Sequence, residues 1–73
     1  MTTIITIFAQ QSLRGRLFIK VATPGQRIFT AECKEDNSAA VAIAMSHAVE
    51  CSSYAIFGPK EILDLIPQNL RSK

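Results

Sequence analysis

The period of apolar and polar positions changes along the chain, and each period predicts an element. Thr2 to Gln10 alternates and is rich in Ile, Thr and Phe, which favour a pleated strand. Gln11 to Gly15 is a polar connection. Arg16 to Ala22 alternates most cleanly, with Leu17, Ile19 and Val21 on one face and Arg16, Phe18 and Lys20 on the other. Thr23-Pro24-Gly25-Gln26 reads as a turn, Pro fixing φ and Gly supplying a positive φ. Arg27 to Cys33 is the third strand, with Phe29, Ala31 and Cys33 on one face. Pairing Val21 with Phe29, Ile19 with Ala31 and Leu17 with Cys33 gathers the apolar side chains on one side. That register requires a connection of odd length, three or five residues, because a two-residue Pro-Gly loop sets Leu17 against Glu32.

From Asn37 the period becomes helical. Asn37 to Cys51 is Ala-rich, free of Gly and Pro, and preceded by Glu35 and Asp36, which suit the positive end of a helix dipole. At 100° per residue, Val41, Ala44, Met45, Ala48 and Val49 form the stripe expected to meet the sheet. Ala39, Ile43, Ser46, His47 and Glu50 fall on the opposite side, where Ile43 is the oddity. Tyr54 to Phe57 reads as a fourth strand ending at Gly58. Pro59 suits the first position of a closing helix over Lys60 to Ile66, with Ile62, Leu65 and Ile66 at helical spacing and Pro67 ending it. Gln68 to Lys73 is a tail that Leu70 could anchor. The order β-β-β-α-β-α predicts one α+β domain over residues 1–73, with helices on one face of a mainly antiparallel sheet. Whether the fourth strand flanks the first or the third stays open.

Composition narrows the class without fixing a function. At 48% hydrophobic and 19% charged, the chain is that of a folded domain and not a disordered one. The net charge of +2 divides unevenly: residues 1–34 carry five Lys/Arg against Glu32, and residues 35–73 carry three against five acids. The start lacks a basic segment before its short apolar run, so neither a signal peptide nor a membrane span is expected. Cys33 and Cys51 lie at opposite ends of the helical segment, roughly 20 Å apart at 1.5 Å per residue, so free thiols are expected rather than a disulfide. Two Cys and one His make no metal-site pattern, and no metal or cofactor is expected.

The same residues argue against catalysis. His47 is the single His, and Ser46 and His47, adjacent on a helix, point about 100° apart, which excludes a Ser46/His47/Glu50 triad. Gly15, Gly25 and Gly58 are scattered, so no phosphate-binding loop exists. Two binding surfaces remain as candidates. One is the sheet face bearing Arg14, Arg16, Phe18 and Lys20, where an aromatic among cations could stack a base and meet phosphates. The other is the helix face bearing Ile43, His47 and Glu50, suited to a protein partner. A hairpin followed by an Ala-rich helix also resembles the second half of a double-stranded-RNA-binding domain, but a strand stands where that module has its first helix.

The second half of the chain resembles the small phage-encoded anti-CRISPR proteins that inhibit type I-F surveillance complexes. The resemblance runs from Ser38 to Arg71 and is carried by Ser38-Ala39-Ala40, Ala42, Ala44-Met45, Tyr54, Ile56 to Gly58, and the closing Ile66-Pro67 with Leu70-Arg71. It implies a non-enzymatic inhibitor acting in the cytoplasm of an infected bacterium, and the surplus of apolar residues in so small a chain adds the expectation of a monomer or homodimer. Its partner would be a Cas protein subunit of the surveillance complex, and the step blocked would be target binding or recruitment of the helicase-nuclease. A small nucleic-acid-binding protein using the basic sheet face is the alternative.

Overall fold

In the computed structural model, which describes residues 1–32 and 37–73, four strands form one mixed sheet backed by helix. Strands β1 (Thr3–Gln11), β2 (Leu17–Ala22) and β3 (Phe29–Glu32) are followed by helix α1 (Ser38–Ala48) and strand β4 (Tyr54–Phe57). A short helix α2 (Lys60–Leu63) and a 3-10 turn (Gln68–Leu70) close the chain. The α+β class and the β-β-β-α-β-α order are those the sequence predicts. The sheet order is β3-β2-β1-β4, so the fourth strand flanks the first. The β1–β2 and β2–β3 pairs are antiparallel and the β1–β4 pair is parallel.

Alternation sets the register. Val21 pairs with Phe29 and Ile19 with Ala31, as the apolar faces require, while the Leu17–Cys33 pair and the capping role of Glu35 and Asp36 fall outside the described residues. The connection turns where the Gln26 N–H donates to the Thr23 carbonyl at 3.0 Å, and Gly25 takes the positive φ of +81° that this turn demands. At the other hairpin, Gln11 faces Leu17 and a tight loop places Arg14 at its tip. There Gly15 (φ +83°) donates to the Ser12 carbonyl at 3.0 Å.

One side of the sheet is the core. Ile5, Ile7, Ile19, Val21, Tyr54 and Ile56 all lie on it and are buried, joined by Ala40, Ala44 and Ala48 of α1 and by Ile62 and Ile66. Three alanines one helical turn apart let the α1 backbone approach the strands closely. The buried stripe is therefore centred on Ala40, Ala44 and Ala48, rotated by roughly 60° from the expected one at 100° per residue. Val49, expected to be buried, is 79% exposed, whereas Ile43 and His47, expected to face outward, are half-buried, and Ile43 packs against the core. Near the C-terminus, Ile62 and Ile66 are buried as expected, but Leu65 is 54% exposed. Pro59 sits one position earlier than expected, as the N-cap of α2.

The tail is held mainly by its backbone and Tyr54 rather than by Leu70, which is 40% exposed. Tyr54 and Lys73 exchange backbone hydrogen bonds at 3.1 and 2.8 Å, and the Ile56 N–H donates to the Arg71 carbonyl at 2.7 Å. These bonds cover the outer edge of β4, an edge that would otherwise offer unpaired groups to another chain. The described helices are all too short or too polar to cross a membrane.

A candidate interaction surface on the open sheet face

Among the described residues no element covers the side of the sheet away from α1. Across the thinnest direction the Cα trace measures 15 Å, the depth of one sheet and one helix layer. Strand alternation brings Ile4, Thr6, Phe8 and Gln10 of β1 to this face, with Phe18, Lys20 and Ala22 of β2, Thr30 and Glu32 of β3, and Ala55 and Phe57 of β4. None of these residues is buried, and Ile4 and Phe57 are 43% and 54% exposed. Three of the four phenylalanines therefore stand on the uncovered side, and only Phe29 packs against the core. Cross-strand pairing sets Phe8 opposite Lys20, Gln10 opposite Phe18 and Thr6 opposite both Ala22 and Phe57. Phe57 is exposed and Phe8 and Phe18 are half-buried, and together with Ile4 they form an apolar surface on one sheet face that suits a partner.

Two shallow depressions flank Phe8 along β1. One, of about 480 Å³, is floored by Ile4, Thr6 and Ala22 and walled by the Pro24–Gly25 turn and Ile28. The other, of about 310 Å³, is lined by Gln10, Gln11, Ser12, Phe18, Lys20 and Thr30.

Of the sheet-face candidates, Phe18 and Lys20 lie on this surface, half-buried. Arg14 and Arg16 are exposed at the β1–β2 loop, at the rim rather than the centre. The helix-face candidates do not come together as one outward surface. Glu50 is exposed beyond the end of α1, Ile43 packs inward, and the His47 Nδ1 lies 2.8 Å from the Thr23 hydroxyl. Thr23, 6% exposed, continues the inward alternation of Ile19 and Val21 past the end of β2 and so reaches under the helix. Cys51 is a free thiol, half-buried, and donates to the His47 carbonyl at 3.3 Å; Cys33 lies outside the described residues.

Sequence reasoning missed Ile4, Phe8 and Phe57. The signal was there: Phe8 has the parity of Gln10, and Phe57 alternates with the buried Tyr54 and Ile56. What it lacked was which side of each strand the helices cover.

The Ile66-Pro67 and Leu70-Arg71 ending has a structural account. Ile66 is 1% exposed, its carbonyl accepts Arg71 Nε at 3.0 Å, and the Leu70 carbonyl accepts the Tyr54 hydroxyl at 2.8 Å. These residues fasten the tail to β4. No protein-family model matches the chain, and no curated protein matches it either.

Proposed function

We propose that this protein is a non-enzymatic binding protein that docks through the open face of its sheet. The observation that carries the reading is the placement of Phe8, Phe18 and Phe57 with Ile4 on one uncovered surface. Apolar area left in water by so small a domain is recovered when a partner covers it, at about 25 cal/mol per Å². For the partner, the likeness of Ser38 to Arg71 to type I-F anti-CRISPR proteins supports a Cas subunit of the surveillance complex, met in the cytoplasm of an infected bacterium.

Charge favours one of the two steps. A groove that holds DNA must itself be basic, and it would repel a protein of net charge +2 that presents Arg14, Arg16 and Lys20. Blocking recruitment of the helicase-nuclease fits this surface better than blocking target binding. The test is gel filtration with a purified type I-F surveillance complex, free and bound to target DNA. Co-elution in both states, with later addition of the helicase-nuclease prevented, is the expected result. Failure to co-elute with the complex in either state and with the helicase-nuclease alone overturns the partner. Release of target DNA overturns the step.

A second reading has one specific observation behind it: Lys20 stands directly opposite Phe8 and two residues from Phe18, a cation among stacking platforms for single-stranded nucleic acid. Under that reading, affinity for an oligonucleotide falls log-linearly with salt, and Arg16→Glu with Lys20→Glu abolishes it. No measurable binding at low salt retires it.

A further inference from the structure

The open face has a charge plan as well as an apolar one. Among the described residues its interior holds a single cation, Lys20, and a single anion, Glu32, the latter out on the edge strand β3. The remaining cations of the N-terminal strands lie at the two ends of β2: Arg14 and Arg16 at one turn and Arg27 at the other, about 20 Å away at 3.3 Å per residue. All three arginines are exposed, and none of them, nor Lys20, forms an ion pair with a described carboxylate. An apolar centre inside a charged rim is the anatomy of a protein–protein interface.

The two depressions differ in what they can take. The larger, between Ile4 and Ile28, has no ionisable group in its lining, so it suits an aliphatic or aromatic side chain. The smaller has Lys20 and Gln10 in its lining, whose ammonium and amide N–H groups are donors suited to a carboxylate. A nucleic-acid strand fits less well. Among the described residues of the face Lys20 and Glu32 cancel, and they form no row of cations along which a backbone could run. A second copy also fits poorly, since a two-fold contact uses the same patch on both subunits and sets two cationic rims together.

We infer that the open sheet face docks an acidic protein surface carrying an apolar anchor, the anchor entering the depression between Ile4 and Ile28 and the carboxylates meeting Lys20 and the arginines at the two turns. The inference rests on the protein-binding reading above and adds to it the chemistry of the partner.

The test uses the isotope-labelled full chain and two synthetic peptides with the same central Leu and Phe, one flanked by glutamates and the other by lysines. The glutamate peptide is expected to shift the amides of Ile4, Thr6, Phe8, Lys20 and Phe57, and to bind at least tenfold more tightly than the lysine peptide at low salt. Arg27→Glu, at an exposed turn, should remove most of that preference, and Phe57→Asp should weaken both peptides. Equal affinities overturn the inference, as do shifts confined to α1, or no shift from the glutamate peptide at millimolar concentration. Tighter binding of a twelve-nucleotide oligothymidine assigns the face to nucleic acid. Loss of signal from dimer formation assigns it to a second copy. The peptides contain no Cas component, so a positive result stands even where the surveillance complex fails to co-elute. Conversely, undiminished binding of the complex to Phe57→Asp retires the surface and leaves the inhibitor reading in place.

Discussion

Gly58 has no room for a side chain. A Cβ there would meet the Ile7 carbonyl oxygen at 3.0 Å and the Ile7 Cβ at 3.1 Å, both parts of the central strand. Gly58→Ala is therefore expected to destabilise by about 1–3 kcal/mol, seen as a lower midpoint in urea with an unchanged slope. An unchanged midpoint would show that the two strands separate there freely. The Thr23–His47 contact is a second residue-scale test. Thr23→Val keeps the volume, removes the hydroxyl, and leaves His47 Nδ1 without that partner, for an expected loss of about 1–2 kcal/mol. His47 reads as a surface residue in the sequence because its apolar neighbour Ile43 and charged neighbour Glu50 give no common direction. Its partner Thr23 sits in a turn that polarity alone assigns to solvent. Only the continued alternation of Ile19, Val21 and Thr23 hints that the hydroxyl points inward.

At the scale of elements, strands were more legible than the helix. Period two is strict, so the β2–β3 register follows from Ile19, Val21, Phe29 and Ala31 alone. Helix α1 is apolar nearly all the way round, with Ala39 and Ala42 exposed and Val49 exposed just past its end, so its pattern carries little direction. Packing decided instead, and the smallest side chains were drawn to the closest approach. Ala44→Leu on the buried stripe should then cost about 1–3 kcal/mol through overpacking, while Ala42→Leu on the exposed side stays within about 0.5 kcal/mol of the parent. Thermal melts of the two variants separate these outcomes, and equal midpoints would contradict the close packing of Ala44 against the sheet. The placement of β4 beside β1 was not legible, because a four-residue apolar run suits either free edge of a three-stranded sheet.

For the whole molecule, the asymmetry between the two halves of the sequence becomes an asymmetry in space. Among the described residues the strands and their turns carry Arg14, Arg16, Lys20 and Arg27 against Glu32, while in the helical half Glu50, Glu61 and Asp64 are balanced by Lys60, Arg71 and Lys73, with Asp64 near Arg71 at 3.9 Å. That ion pair is largely exposed and contributes little to stability, so the charges matter more for association than for folding. A cationic rim should speed encounter with an acidic partner, and raising salt should lower the association rate more than it raises the dissociation rate. Half of the candidate site was visible beforehand: Phe18 and Lys20 were placed on the outer sheet face by alternation. The apolar half, Ile4, Phe8 and Phe57, emerged only with the strand order, since it is assembled from β1 and β4, which are distant in sequence. The most direct test of docking through this face is the affinity of a type I-F surveillance complex for Phe57→Asp beside Val49→Asp, two exposed apolar positions on opposite layers of the fold. The expected result is a loss of at least tenfold for Phe57→Asp with Val49→Asp indistinguishable from the parent. Undiminished affinity of Phe57→Asp, with or without a loss on Val49→Asp, would contradict it.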